Sequence, residues 1–326
     1  MKILVAGGAG YIGSFMVKNL LERGDEVVVV DSLETGHKES VDKKANLYIG
    51  NLLDRDFVSK VFSENKFDGV INFAGFISMG ESMENPYIYF QNNVFSVLNV
   101  LEEMVKTNTD NFIFSSSAGV YGNPIKVPIS EESATNPGNP YGESKLMVEK
   151  IMKWYGKTKN IHTVALRYFN ASGASLDGTM GEKHTLETHI IPNIIQSVLI
   201  DSSFKLFGND YKTKDGTCIR DYIHVLDLIQ SHVLSIEKLK NSPGNYVYNV
   251  GTGHGFSNKE VIDTVEKISG KKVNVQIEQR RPGDVGELIA DPTKINEDLG
   301  FAPKYSDLET IVSSAWQWHK KNQAQI

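Results

Sequence analysis

The chain has 326 residues, a formal net charge of −6 and a single cysteine, Cys218. This length allows one or two domains with a substantial core, and the modest acidity without a basic block excludes the charge footprint of a nucleic-acid-binding protein. No apolar run is long enough for a transmembrane helix, and the apolar start is too short for a signal peptide. One cysteine can form neither an intrachain disulfide nor a cysteine-rich metal site. We therefore expect a reducing, cytoplasmic setting.

The first element is a short apolar run at residues 2–6, which predicts a buried parallel strand. Gly7, Gly8, Gly10 and Gly13 follow it and lead into a helical pattern. Such glycines allow a tight turn and a close approach of the backbone to a pyrophosphate, which the helix N-terminus would then bind. A second strand ends at Asp31, about twenty residues on, where an acidic side chain can accept from ribose hydroxyls and disfavour a 2′-phosphate. The pattern favours NAD over NADP.

The first half of the chain alternates between strand-like and helical patterns. Strands are predicted at 26–30, 46–50, 69–74, 111–115 and 162–169, and helices at 55–63, 86–105 and 141–155. This rhythm predicts an α/β fold, a Rossmann-like doubly wound parallel sheet whose ligands meet the carboxyl ends of the strands. The residues at or just after those ends are Gly7, Asp31, Asn51, Ala74, Ser117 and Asn170.

The alternation of strands and helices becomes less regular after about residue 175, where a Gly-, Ser- and Thr-rich stretch predicts a long loop. Beyond it, strands are predicted at 204–207, 246–250 and 273–279, with a final helix near 308–320. We therefore predict a nucleotide-binding domain over 1–175 and a smaller α/β substrate domain over 176–326, with 220–240 able to pack back on the first domain.

Tyr141 and Lys145 carry the clearest chemical signal, as a Tyr-x-x-x-Lys pair preceded by Ser117. Positions i and i+4 of a helix lie on the same face, and Pro140 suits the first helical position. A free phenol has a pKa near ~10, and a nearby ammonium lowers it. We predict a proton acceptor whose pKa is tuned downwards.

In this order, the glycine turn, Asp31, Ser117, Tyr141 and Lys145 resemble an extended short-chain dehydrogenase/reductase. Further motifs, spread over nearly the whole chain, are similar to those of UDP-glucose 4-epimerases: GGAGYIGS, FIFSSSAGVYG, YGESKLMVE, LRYFN, FGNDY followed by DGT and RDYIHV, YNVGTG and RRPGD. The resemblance implies tightly bound NAD, a UDP-hexose substrate, inversion at C4 through a 4-keto sugar, and a homodimer formed by the helices at 86–105 and 141–155.

The resemblance also assigns roles to single residues. Tyr141 would take the proton of the sugar 4-hydroxyl, Ser117 would hydrogen-bond the same oxygen, and Lys145 would hold the nicotinamide ribose. The implied cofactor-binding residues are these three and Gly7, Gly10, Tyr11, Ile12, Gly13, Asp31, Ser32, Asn51, Leu52, Phe73, Ala74, Gly75, Asn92 and Phe169. The implied substrate-binding residues are Ser117, Tyr141, Asn170, His189, Ile190, Phe207, Arg220, Arg281, Asp284 and Leu288. No metal is implied.

Several positions bear on the exact reaction. Dehydratases and decarboxylases of the superfamily carry acidic groups just before Val-Tyr-Gly, whereas this chain has Ala118 and Gly119, which favours simple epimerisation. Asn51 replaces a frequent Asp, and Ile77 replaces a Lys of some relatives. Leu288 lies at a size gate where Tyr excludes N-acetylated sugars and a small residue admits them, so activity on UDP-GlcNAc and UDP-GalNAc stays open.

Two other hypotheses remain at this point. One is a net NAD-dependent oxidoreductase or dehydratase that acts on a nucleotide sugar. The other is a catalytically silent NAD-binding or scaffold protein. The presence of Ser117, Tyr141 and Lys145 argues against this second hypothesis.

Overall fold

A computed structural model describes residues 1–184, 187–281 and 283–322. Residues 185–186 of the predicted loop, 282 of the RRPGD motif and 323–326 lie outside the described residues. The described chain forms two compact units. The first comprises Met1–Gly122, Ala134–Arg167 and Ile229–Tyr248, and the second comprises Asn123–Ser133, Tyr168–Leu228 and Asn249–Ile326.

The first unit is built on a seven-stranded sheet. Its strands are β1 (Lys2–Ala6), β2 (Glu26–Asp31), β3 (Asn46–Ile49), β4 (Gly69–Asn72), β5 (Asn111–Ser117), β6 (His162–Tyr168) and β10 (Asn245–Val250). The helices are α1 (Tyr11–Glu22), α2 (Arg55–Glu64), α3 (Met79–Glu84), α4 (Pro86–Phe90), α5 (Ser96–Thr107), α6 (Pro140–Lys159) and α8 (Val225–Asn241).

The strand order is β10-β6-β5-β4-β1-β2-β3, and the pairs from β3 through to β5 are parallel. The order 3-2-1-4-5-6 is that of dinucleotide-binding sheets, with β10 added beyond β6. Val28 and Val30 face the core that includes α2 and α5, while Val29 lies on the side of α1, against Gly8 and near Val17. The prediction of a doubly wound parallel sheet is confirmed.

The division into units differs from a single boundary after residue 175. Most of α8 and the first four residues of β10, 245–248, belong to the first unit, because β10 extends its sheet next to β6. Residues 123–133 belong to the second unit, where Ile129 donates its N–H to the carbonyl of Ile289 and Asn249 donates to the carbonyl of Ile129.

The second unit is a mixture of short strands and helices. Its strands are β7 (Asn170–Ser172), β8 (Ser203–Phe207), β9 (Ile219–His224), β11 (Gly255–Ser257), β12 (Asn274–Glu278) and β13 (Glu287–Leu288), and its helices are α7 (Ile190–Leu199), α9 (Asn258–Ser269), α10 (Thr293–Leu299) and α11 (Leu308–Lys321). Apolar faces of α7, α9 and α11 form its core with β8 and Tyr222 of β9. Residues 173–184 and 187–189 contain neither helix nor strand, as predicted for the loop.

The predicted helix at 86–105 contains a π-helical turn. It consists of α4, a π-helical turn at Gln91–Phe95 and α5. Such turns insert an extra residue and often occur at functional sites. Among the described residues, no helix has the length and apolarity needed to cross a membrane.

Candidate active site

The glycine turn after β1 is closely packed. Gly7 has a φ of 77°, and a Cβ on it would lie 2.6 Å from the backbone nitrogen of Ala74. A Cβ on Gly13 would overlap the carbonyl oxygen of Gly7. Gly10 is the N-cap of α1 and has no side chain to accept from the first N–H groups of the helix, which begins with Tyr11 and Ile12. The turn therefore leaves the N-terminus of α1 ready to bind an anion.

Asp31 faces this turn from the end of β2. Its Oδ2 accepts from the N–H of Ala9 at 2.9 Å, and its Oδ1 accepts from the N–H of Leu33 at 2.9 Å. The carboxylate is thus held beside the glycine turn, with lone pairs left for a diol. Ser32 follows directly and contacts Glu34 at 3.4 Å. The turn, the open helix end and the oriented carboxylate fit the phosphates and ribose of a dinucleotide.

The ends of β3 and β4 place the next group of predicted cofactor residues. Oδ1 of Asn51 accepts from the N–H of Leu53 at 2.9 Å, so this oxygen already stabilises a local turn, and Leu52 is buried. After β4, the ring of Phe73 lies 4.8 Å from that of His232. Ala74 approaches Gly7, and Gly75 has a φ of 151°, which suits only glycine.

Asn93, which the sequence analysis did not select, organises this region more than its neighbour Asn92. Asn92 lies half-buried in the π-helical turn. The buried amide of Asn93 accepts from the N–H of Phe76 at 2.7 Å, donates to the carbonyl of Phe76 at 3.0 Å and donates to Ser144 Oγ at 3.0 Å. It therefore links the turn after β4 to α6. The pair of asparagines was visible in the sequence, but the choice between them depends on the π turn.

Ser117 ends β5, and Tyr141 begins α6 close to it. Ser117 Oγ accepts from the N–H of Gly119 at 3.0 Å. Asn139 caps α6 by accepting from the N–H of Gly142 at 2.9 Å, with Pro140 at the first position. A Cβ on Gly142 would lie 2.5 Å from the carbonyl oxygen of Gly119. Glycine at both positions lets the start of α6 approach the end of β5.

Lys145 lies one turn beyond Tyr141 and is almost fully buried. Its Nζ is 5.9 Å from the centre of the Tyr141 ring and 4.9 Å from that of Phe114. It donates to the carbonyl of Ser115 at 2.9 Å. The predicted side-by-side placement of phenol and ammonium is present.

The predicted lowering of the phenol pKa is wrong for the protein chain by itself. Burial raises the pKa of Tyr141, and the hydrogen bond with Ser117 offsets only part of that rise. Burial also lowers the pKa of Lys145 to about 8. Desolvation is the main cause of both shifts, although by accessible surface Lys145 is almost fully buried and Tyr141 only half-buried. Lys145 is nevertheless mostly protonated at neutral pH.

A buried ion pair, also missed from the sequence, anchors α6 to the sheet. Glu149 accepts from Arg167 at 2.5 and 2.9 Å and from Ser116 Oγ at 2.5 Å. Arg167 also donates to the hydroxyl of Tyr121 at 2.9 Å. Ser116 precedes Ser117, so this pair fixes the end of β5 relative to the helix of Tyr141. Nothing in the linear spacing indicated the pairing, since the partners lie on separate elements.

In the second unit, two groups of predicted substrate residues form. The guanidinium of Arg281 lies 5.0 Å from the centre of the Phe207 ring and donates to Asp284 at 3.0 Å. Arg280 instead pairs with Asp210 at 2.6 Å, and both side chains are exposed. Phe207, Arg281 and Asp284 therefore share one surface.

The second group lies on the small sheet around β9. Asn170 pairs with Tyr222, and Leu288 pairs with Arg220. Phe169, which precedes β7, donates its N–H to the carbonyl of Val250 at 3.3 Å.

Next to Arg220, the fully buried Asp221 accepts from the N–H groups of Thr252, Gly253 and Ala290. Asp221, part of the RDYIHV motif, thereby holds the strand that carries Arg220.

His189 and Ile190 begin α7, with His189 as the N-cap. Nδ1 of His189 points towards Glu182 and Glu187, at 2.5 and 3.4 Å. This ring nitrogen therefore lies close to two carboxylates of its own loop.

Comparisons with known proteins are consistent over the whole chain. The family model described as GDP-mannose 4,6 dehydratase matches residues 4–314. A UDP-glucose 4-epimerase of Lactobacillus helveticus is 45% identical over 99% of this chain and 98% of that protein. The crystal structure of the Brucella ovis UDP-glucose 4-epimerase in complex with NAD has a TM-score of 0.94 and 44% identity, with 97% of each chain covered. The UDP-Glc/GlcNAc 4-epimerase of Campylobacter jejuni has a TM-score of 0.85 and 39% identity, covering 98% of this chain and 99% of that one.

Proposed function

Because this chain belongs to the UDP-glucose 4-epimerase family, we propose that it interconverts UDP-glucose and UDP-galactose by reversible inversion at C4. The proposal is supported by the convergence of Ser117 and Tyr141 where β5 ends and α6 begins, with the cation of Lys145 beside them. Inversion at C4 needs one group that removes and returns a proton, and we assign that role to the Tyr141 hydroxyl.

We assign the first unit to NAD and to proton transfer. The glycine turn, the open N-terminus of α1 and Asp31 would hold the pyrophosphate and the adenosine ribose. A relative crystallised with NAD supports the same choice. When bound, NAD supplies the two-electron acceptor and donor that passage through a 4-keto sugar requires.

The chain's own residues then manage one proton. Tyr141 takes it from the sugar 4-hydroxyl and returns it after the ketone has turned its other face. Ser117 shares a hydrogen bond with Tyr141 and can donate to the ketone oxygen. Lys145, which stays mostly protonated at neutral pH because its pKa is about 8, favours the phenolate against the burial that opposes it.

We assign the UDP part of the substrate to the second unit. Arg220 and Arg281 would pair with the diphosphate, whose charge suits guanidinium groups. Phe207 offers a flat apolar face for the uracil, and Asp284 is held by Arg281 at 3.0 Å, where it would meet the uridine ribose. Asn170 would contact the phosphate or sugar, and His189 and Ile190 would contact the uracil.

The dehydratase alternative is weaker, although the matched family model bears that description. Elimination of water needs an additional acid or base beside the sugar. Ala118 and Gly119 occupy the turn after Ser117, and neither can transfer a proton. Epimerisation needs no further titratable group there.

One assay separates the candidates. The protein is incubated with UDP-galactose without added reductant, and the sugar is followed by NMR while absorbance reports free NADH. We expect UDP-glucose to accumulate without net NADH. A lasting 4-keto-6-deoxy sugar, or the absence of turnover, would contradict the proposal.

A pair of variants tests the assigned base. Tyr141→Phe should keep NAD and lose about 10²–10⁴-fold in turnover, the usual contribution of general acid–base catalysis. Tyr246→Phe removes a hydroxyl whose hydrogen bonds within the described residues are to Ser242, and it should remain active. Equal turnover in the two variants would exclude Tyr141 as the base.

We further propose that UDP-GlcNAc and UDP-GalNAc are substrates. Leu288 is half-buried on β13, and leucine at the size gate is smaller than the tyrosine that excludes acetylated sugars. The Campylobacter jejuni relative is described as acting on both classes. Leu288→Tyr should reduce the rate on UDP-GlcNAc and spare that on UDP-glucose, and equal rate ratios in parent and variant would rule out selection at this gate.

We also propose a homodimer that uses α4–α6. Large apolar side chains stay exposed there, with Tyr87 at 71%, Phe95 at 56% and Trp154 at 64%. Such a patch indicates an interaction surface. Trp154→Glu should yield monomers in analytical ultracentrifugation, whereas Ile125→Glu, at an exposed site outside these helices, should leave the mass unchanged. A monomeric parent would refute the dimer. The buried Cys218 is compatible with a cytoplasmic location, which stays a prediction.

A further inference from the structure

Four side chains of the loop before α7 converge on one point. They are Glu182, His184, Glu187 and His189, and one donor atom from each lies within 4.8 Å of the others. All four belong to the second unit. The set contains two imidazoles and two carboxylates, and the residues assigned to catalysis do not include it.

The shortest distance in the cluster is not an ordinary hydrogen bond. Nδ1 of His189 lies 2.5 Å from Oε1 of Glu182, and the two groups attract each other as charges, but the contact does not meet the geometry of a hydrogen bond. Nε2 of His184 lies 3.1 Å from the same oxygen. Atoms that approach without an aligned proton resemble neighbouring ligands of one cation. In a tetrahedral site with bonds of about 2.1 Å, neighbouring donors are about 3.4 Å apart, so small side-chain rotations would reach it.

Glu187 gives an independent indication of a missing ligand. Its Oε1 accepts from the N–H groups of Thr188 and His189, at 2.8 Å each, which fixes the carboxylate. Its Oε2 is buried and has no hydrogen-bond partner among the described residues, and the side chain is only 5% exposed. A buried carboxylate oxygen without a partner is costly. A cation would satisfy it, and the two backbone N–H groups would orient it as outer-shell partners do.

The surroundings hold the cluster in place. The side chain of Glu182 is 4% exposed, and its carbonyl accepts from the indole N–H of Trp318 at 3.0 Å. His319 on the same helix α11 is buried and interacts electrostatically with Glu182 and Glu187. The loop is thus tied to α11 on one side and continues into α7 on the other.

We propose that Glu182, His184, Glu187 and His189 bind one divalent transition-metal ion of the Zn²⁺ type. Imidazole nitrogen combined with carboxylate oxygen suits zinc, whereas Mg²⁺ and Ca²⁺ prefer oxygen alone. Four protein ligands leave no open position for a substrate, so the ion is structural. It would fix the loop that leads to Ile190 and determine the orientation of the His189 ring.

Protons are the competing occupants of this cluster. The carboxylates raise the pKa of His184 and raise that of His189 well above its usual range, against the effect of burial. The histidines hold the pKa of Glu182 at about 2. Without a metal, the cluster is therefore a set of ion pairs that takes up protons. Metal binding would displace those protons.

Direct titration decides between metal and protons. The protein is dialysed against a chelator, and Zn²⁺ is added in a calorimeter at neutral pH, with bound metal measured by mass spectrometry. We expect one Zn²⁺ per chain, a rise in Tm of the metal-loaded protein and no comparable response to Mg²⁺. Binding well below one equivalent, or equal binding of Mg²⁺, would overturn the proposal.

Variants locate the ion. The double variant His184→Ala with Glu187→Gln should lose at least about tenfold in affinity, while His254→Ala, at an exposed histidine of the same unit, should bind like the parent. If the double variant does not fold by circular dichroism, Glu187→Gln alone tests the same point, because it preserves size and removes one charge. Unchanged affinity in a folded variant would place the ion elsewhere and refute the site.

Discussion

The buried pair of Glu149 and Arg167 allows a quantitative prediction. Both side chains are only 7% exposed, and the carboxylate joins α6 to Ser116 of β5 and to Arg167 of β6. In Glu149→Gln the shape is preserved, but the guanidinium stays buried without its counter-charge. We therefore expect the first unit to lose stability although no cavity forms.

Removing one partner of a buried pair costs about 3–5 kcal/mol. Glutamine still offers one oxygen to Ser116 and Arg167, so the lower end, about 3 kcal/mol, applies. At about 2–4 °C per kcal/mol for a unit of this size, the Tm should fall by about 6–12 °C. Arg167 also donates to the hydroxyl of Tyr121. We therefore expect the loss of stability to affect the packing of α6 as well as the ion pair.

The assay is thermal unfolding by circular dichroism, with an exposed pair as matched control. Glu309 and Lys267 lie 2.8 Å apart, with 61% and 66% of their side chains exposed. Glu309→Gln should cost less than about 1 kcal/mol. Replacing both buried partners, by Glu149→Leu with Arg167→Met, should recover much of the stability lost in the single variant, because no unpaired charge remains.

A fall in Tm for Glu149→Gln that is no larger than that for Glu309→Gln would refute this reasoning. It would mean that Arg167 finds water or another partner when the carboxylate is neutralised. A double variant less stable than Glu149→Gln would show instead that the pair contributes more than its desolvation costs.

Three further outcomes are expected. In Gly13→Ala, the new Cβ would overlap the carbonyl oxygen of Gly7, so NAD binding measured by fluorescence should weaken by at least about tenfold, whereas Gly80→Ala, with open space around it, should bind normally. Asn93→Ala removes three hydrogen bonds and should lower the free energy of unfolding in urea by about 3 kcal/mol; a change below about 1 kcal/mol would contradict the bracing role. Burial lowers the pKa of Lys145 from 10.5 to about 8. Between about pH 8 and 10.5 the unfolded chain therefore binds more protons than the folded one, so the Tm of the cofactor-free parent should rise with pH relative to that of Lys145→Met. Parallel Tm curves for the two proteins would disprove this.

The fold was predictable because the local sequence patterns match the strands and helices of the parallel sheet. Buried parallel strands appear as short apolar runs such as residues 2–6 and 26–30, and glycines mark the turns between strands and helices. The π-helical turn at Gln91–Phe95 was not predicted, because the apolar residues around it suggest one uniform helix. The strand β10 was predicted, but its place beside β6 depends on long-range pairing.

The candidate site was predictable where chemistry depends on local spacing. Tyr141 and Lys145 lie one turn apart on α6, and helix geometry alone places them on one face. Four buried polar residues were not predicted because their partners are distant in sequence: Asn93, Glu149, Arg167 and Asp221. A polar residue in an apolar stretch does not show which hydrogen bonds it will form. The cluster around Glu182 was missed for a related reason, since a loop has no period from which converging side chains can be inferred.

By itself, the amino-acid sequence determined the α/β class, the glycine turn, the acidic end of β2 and the Tyr141–Lys145 pair, because each depends on short-range geometry. Only the tertiary structure decided the pKa values of the two groups in that pair. Burial raises the pKa of Tyr141 and lowers that of Lys145, because the cost of removing a charge from water depends on every element packed around it. The same packing determined which carboxylates form ion pairs, and within the described residues it left the buried Oε2 of Glu187 without a hydrogen-bond partner.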